Sequence, residues 1–116
     1  MPKILIAEDD QTMVSLLTTL LKMEGFEVVS LESHEDVPSA VIHEKPDVLL
    51  TDVHLGEQNG MEIVSSIRQK GELPQMKIVM TSGMDMENEC LERGADHFLL
   101  KPFMPDDLLR VLKSYQ

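Results

Sequence analysis

The sequence predicts an α/β domain built on a parallel sheet, and three observations carry that prediction. Five short apolar runs recur along 116 residues. Each run is followed by a stretch of helical spacing or helix-starting residues, the alternation that successive βα units produce. Polar residues collect just after several runs, where an open parallel sheet places its chemistry. No linker or repeat breaks the alternation, so residues 1–116 read as one domain, a length that buries one core and not two.

The elements follow in order. KILIAE (3–8) is a short apolar run suited to a strand covered on both faces. After Asp9 and Asp10, Met13, Leu17, Leu20 and Leu21 fall at helical spacing, and Gly25 stands where a helix C-cap belongs. EVVSL (27–31) is a weaker strand, and a short helix follows around Pro38 to Glu44 with Asp36 near its start. DVLLT (47–51) is the third strand; the helix after Gly60 carries Met61, Val64 and Ile67 and stops at Gly71. KIVMT (77–81) is the fourth strand, and residues 85–93 form a polar helix ending at Gly94. HFLLK (97–101) is the fifth, after which Pro105, Asp106 and Asp107 open a helix bearing Leu108, Leu109 and Leu112.

Composition excludes several classes of function. A formal net charge of -11, from 21 acids against ten Lys and Arg, provides little attraction for nucleic acid or an anionic membrane. The lone Cys90 makes no internal disulfide and is expected to be inert. The apolar run at the N-terminus is too short to be a signal or spanning segment, so a cytoplasmic location is expected. No G-x-x-x-x-G-K-[ST] or G-x-G-x-x-G stretch is present to hold a nucleotide.

The polar residues at the strand ends point to a particular chemistry. Glu8, Asp9 and Asp10 follow the first strand, Asp52 the third, Thr81 and Ser82 the fourth, and Lys101 ends the fifth. If the strands take the order 2-1-3-4-5, one of the orders open to such a sheet, these groups would line one cleft. Several carboxylates together repel one another unless a cation sits among them. Lys101 is one such charge, and an all-oxygen site with open water positions suits Mg²⁺, which commonly shares its sphere with a phosphate. A carboxylate beside a divalent ion and a phosphoryl group is a nucleophile able to form an aspartyl phosphate.

These residues carry a resemblance. The stretches ILIAEDD, LLTDVHLGEQNG with its glycine eight residues after Asp52, VMTSG and LLKPF together resemble the receiver domains of bacterial two-component response regulators, such as the chemotaxis regulators. The resemblance runs from Lys3 to the last helix and implies a flavodoxin-like receiver fold, a five-stranded parallel sheet of order 2-1-3-4-5 with helices on both faces. It implies that Asp52 is the phosphoacceptor, served by a sensor histidine kinase or a histidine phosphotransfer protein. It further implies that Asp9 and Asp10 are the acidic pair holding Mg²⁺ with Asp52 and the backbone carbonyl of His54, and that Glu8 faces solvent or a neighbouring helix. Ser82 matches the hydroxyl that bonds the phosphoryl group, with Thr81 as the competing assignment on the opposite side of the strand. Lys101 matches the basic partner, Pro102 the residue after a cis peptide, and Phe98 the aromatic switch. Phosphorylation would draw Ser82 and Lys101 inward and alter the surface of helix 4, strand 5 and helix 5, which a downstream effector reads.

Simpler readings stand beside these. Asp10 also suits an N-cap, Phe98 also suits the core, and Lys101 also suits a solvated strand end. Two departures from the family pattern carry expectations. Gly56 stands where a proline is usual, predicting a more mobile loop after Asp52. His54 and Met84 stand two residues after the acceptor and the hydroxyl, where the family tunes attack by water. Bulky Met84 predicts a phosphorylated state that outlasts seconds. An aspartyl phosphatase normally has a second acid where His54 stands, and a flavin-mononucleotide binder needs a phosphate-cradling loop that EDD would repel. The rival reading is a degenerate receiver acting as a phosphorylation-independent interaction module. The sequence stops at Gln116 after the last helix, which fits a single-domain regulator or a domain cut from a longer chain equally well.

Overall fold

The computed structural model describes residues 2–31 and 36–115. Its elements are β1 (Lys3–Ala7), α1 (Gln11–Met23), β2 (Glu27–Leu31), α2 (Val37–Glu44), β3 (Val48–Asp52), β4 (His54–Leu55), β5 (Gln58–Asn59), α3 (Gly60–Lys70), β6 (Lys77–Ser82), α4 (Glu87–Glu92), β7 (His97–Leu100) and α5 (Pro105–Lys113). Five strands form one sheet in the order β2-β1-β3-β6-β7, every pair parallel. This is the expected 2-1-3-4-5 arrangement, since β4 and β5 pair only with each other.

Strand alternation divides the core into two layers. Ile4, Ile6, Val48, Leu50 and Val79 pack against Val14, Leu17 and Leu21 of α1 and Leu108 and Leu112 of α5. Leu5, Ala7, Leu49, Ile78 and Met80 take the other face, against Val37 and Val41 of α2, Val64 and Ile67 of α3 and Cys90 of α4. With apolar cover on both sides the central strands read as continuous hydrophobic runs, the mark of a parallel sheet.

The differences from the sequence expectations lie at element ends. β3 runs through Asp52 and β6 through Ser82, while β1 stops at Ala7 and β7 at Leu100. α4 is only six residues long. The segment after Asp52, read from the sequence as a loop, contains the short β4–β5 hairpin, with His54 opposite Asn59 and Leu55 opposite Gln58. Asn59 then caps α3, its side chain accepting from the N–H groups of Met61 and Glu62.

Candidate functional site at the carboxyl edge of the sheet

Period-2 alternation assembles the centre of the site. Ile6, Leu50 and Val79 face the layer of α1 and α5, and two residues further along their strands come Glu8, Asp52 and Thr81. The same apolar rows that fill the core therefore end in polar groups, where the cover of the helices runs out. Asp52 pairs in register with Thr81. Glu8, Asp52 and Thr81 line a small cavity with Met13, Leu17 and Phe103. All three are buried: Glu8 is 5 % exposed, Asp52 9 % and Thr81 3 %.

Lys101, just past β7, reaches back across the edge of the sheet. Its Nζ donates to Glu8 Oε1 at 2.6 Å and to Asp52 Oδ2 at 2.9 Å. The peptide between Lys101 and Pro102 is cis, as the resemblance implies. Burial works against the Lys101 ammonium, but the hydrogen bonds and charges of Glu8 and Asp52 outweigh it and leave its pKa raised. Burial also pushes the Glu8 carboxyl up, against the lowering effect of Lys101 and of the Asp10 N–H. Glu8 Oε2 accepts from that N–H at 3.1 Å.

Two expectations about the acids are corrected here. Glu8 does not face solvent or a neighbouring helix; it is buried against Lys101. Asp10 does not join the group. Its side chain caps α1, accepting from the N–H groups of Thr12 and Met13 at 3.1 and 3.2 Å. The structure brings Glu8, Asp9 and Asp52 together instead, with one oxygen of each within 4.8 Å of the others. The reason is geometric: consecutive residues leaving a strand point in different directions, so the third acid is turned towards the helix it starts. The signal for Glu8 lies in the sequence as the row Ile4, Ile6, Glu8, which continues one face of β1.

The remaining predicted residues divide between this centre and the other face of the sheet. Asp9 is exposed, and its Oδ2 accepts from the Gly56 N–H at 2.8 Å. The His54 N–H points to Asp52 Oδ1 at a long 3.4 Å, and the His54 residue is exposed. Ser82, one residue beyond Thr81, falls on the other face of the sheet with Met80 and Phe98, which pair in register. Its Oγ accepts from the Met84 N–H at 3.1 Å and lies 3.9 Å from Met86 Sδ. Phe98 is buried in the core layer of α2, α3 and α4. Met84 is 63 % exposed.

Sequence reasoning on polar groups alone passes over the structural part played by Gly60. A Cβ at Gly60 would lie 2.3 Å from the Asp52 carbonyl oxygen and 2.9 Å from that of Val53. The start of α3 is thereby held against the backbone of Asp52, and the Gly60 N–H donates to the Val53 carbonyl at 2.6 Å.

The donor set suits a hard divalent cation. Three carboxylates converge, and the single positive charge of Lys101, shared between Glu8 and Asp52, offsets only one of them, leaving excess negative charge and oxygen donors only. Among the described residues no helix is long and apolar enough to cross a membrane.

Comparison with known proteins agrees with this arrangement. The family model of the response regulator receiver domain matches residues 4–113. The N-terminal domain of the nisin resistance regulator NsrR, a lantibiotic response regulator, is 32% identical, with a TM-score of 0.84, and the match covers 98% of this chain and 97% of that one. The chemotaxis protein CheY4 of Vibrio cholerae is 25% identical with a TM-score of 0.87, over 100% of this chain and 99% of that one. The receiver domain of the Francisella response regulator 1452 shares the fold at a TM-score of 0.89 and 24% identity, over 99% and 97% of the two chains. Receiver domains are signalling domains that interact with kinases or phosphotransfer proteins and with effectors, and phosphorylation and Mg²⁺ are typical of them. This chain belongs to the response regulator receiver domain family.

Proposed function

We propose that this protein is a phosphorylation-dependent signalling switch, with Asp52 as the acceptor. One observation carries the reading: a buried carboxylate at the end of the central strand β3, held by Lys101 and placed beside two further acids. Asp9, Asp52 and Glu8, with the backbone carbonyl of His54, would hold Mg²⁺, which when bound supplies neutralising charge for phosphoryl oxygens. A carboxylate oxygen of Asp52 attacks phosphorus; the P–N bond to the histidine of a sensor kinase or phosphotransfer protein breaks, and its electron pair leaves with the imidazole. Lys101 exchanges part of its contact with Asp52 for a phosphoryl oxygen, and Ser82 orients another. Little general-base chemistry is needed, because a loose transition state is served by positioning and charge.

The added negative charge would draw Ser82 away from Met86 and alter the packing behind it, where Phe98 and Met80 lie. Leu91, Leu100 and Met104 are large apolar side chains left exposed on α4, on β7 and just before α5. They support an effector-binding surface on that side of the molecule. A single-domain assignment of residues 1–116 is part of the same proposal.

The test is intact-mass analysis after incubation with acetyl phosphate, with and without Mg²⁺. One Mg²⁺-dependent phosphoryl adduct is expected, absent from Asp52→Asn. Ser82→Ala is expected to slow its formation more than Thr81→Ala, and decay of the adduct is expected to quicken in Met84→Ala. Absence of any adduct in the folded wild type would transfer the reading to the phosphorylation-independent interaction module.

A further inference from the structure

Gly56 combines two properties that a proline at this position would lack. Its φ is +56°, in the region that favours glycine, whereas proline is locked near −65°. It also carries an N–H. The positive φ falls on the first of the two residues between β4 and β5, the place where a tight two-residue hairpin takes a glycine. The same turn aims the N–H at Asp9 Oδ2, 2.8 Å away and 47 residues distant in sequence. No Cβ contact restricts this position, so local crowding does not account for the glycine.

Asp9 needs such a partner more than the other two acids do. Glu8 and Asp52 are buried and share the Lys101 ammonium, whereas Asp9 is exposed. An exposed carboxylate on its own would rotate freely and lose entropy on meeting a cation. We propose that Gly56 is a positioning residue for the metal centre: its backbone N–H holds the Asp9 carboxylate in the orientation in which it meets a divalent cation with Glu8 and Asp52. The inference rests on the reading of these carboxylates as a metal site. Hydrogen bonds to ligating carboxylates commonly set metal affinity by about 10- to 100-fold. By reciprocity, a bound cation also stabilises the β4–β5 hairpin, so metal occupancy is transmitted to the surface on which His54 stands.

The experiment is Mn²⁺ binding to the full chain, followed by the electron paramagnetic resonance of free Mn²⁺, on wild type, Gly56→Pro and Gly56→Ala. Both substitutions disturb the turn, but only proline removes the N–H. The expected result is a loss of about 10- to 100-fold in affinity for Gly56→Pro, with Gly56→Ala within about threefold of wild type. Equal losses in both variants, or none in Gly56→Pro, would overturn the inference while leaving the metal site standing. Failure of the wild type to bind Mn²⁺ at all would overturn the metal-site reading itself, and the inference with it. A second measurement needs no change at position 56: the Gly56 amide should exchange slowly with solvent in the wild type and rapidly in Asp9→Ala. Unaltered exchange in Asp9→Ala would also overturn the inference.

Discussion

Lys101 shows how one side chain sets the character of its surroundings. With its ammonium between Glu8 and Asp52, two buried carboxylates are tolerated in the same cleft. The raised pKa of Lys101 keeps that charge in place throughout the neutral range. Gly60 acts at the same scale through what it lacks. A Cβ there would strike the backbone oxygens of Asp52 and Val53, and backbone cannot swing aside as a flexible side chain can. Gly60→Ala is therefore expected to destabilise the fold by about 3 kcal/mol, measured by urea unfolding. Since the clash falls on Asp52 itself, the same variant should also take up the phosphoryl group more slowly.

Among the elements, α1 has the start that bears most directly on the site. Asp9 and Asp10 are adjacent and chemically identical, yet one joins the carboxylate group and the other caps the helix. Asp10→Ala is expected to cost about 1 kcal/mol of stability, as loss of an N-cap does, and to change divalent-cation affinity far less than Asp9→Ala. Urea unfolding and Mn²⁺ titration on the two variants separate these roles. The hairpin of β4 and β5 is the other element that matters. It converts the connection after Asp52 into hydrogen-bonded backbone and delivers the Gly56 N–H to Asp9. The helix α4 is only six residues long, buries Cys90 and leaves Leu91 exposed.

For the molecule as a whole, two core layers enclose the sheet, and Cys90 reports on one of them. It is fully buried in the layer of α2, α3 and α4, and burial pushes its thiol up to about 11 from an ordinary 9.0. A pKa raised in the folded state means that stability is present below the unfolded value and is lost as pH rises through the folded one. The stability difference between wild type and Cys90→Ala is therefore expected to shrink by about 2 kcal/mol between about pH 8.5 and about pH 11. Denaturant unfolding across that range checks it. Near neutral pH, a thiol reagent should label Cys90 only as fast as the core opens.

Much of this protein is determined by the sequence alone. The alternation of apolar runs and helical spacing specifies βα units, because a strand hydrophobic on both faces is stable only between helices. The strand order and the candidate acceptor Asp52 were legible through motifs, and so was the pairing of a distant Lys101 with the acids. Which acids meet was legible only in part: the row Ile4, Ile6, Glu8 marks Glu8 as a continuation of one face of β1, but Asp9 and Asp10 are neighbours of identical chemistry. Only the direction in which the chain leaves β1 separates Asp9 from Asp10. The hairpin after Asp52 was hidden for a related reason: Gly56 reads locally as freedom, and becomes constraint only when Asp9 is brought to its N–H from the far end of the fold. Local pattern decides which elements form; long-range contact decides which polar groups, among several able to do so, share one site.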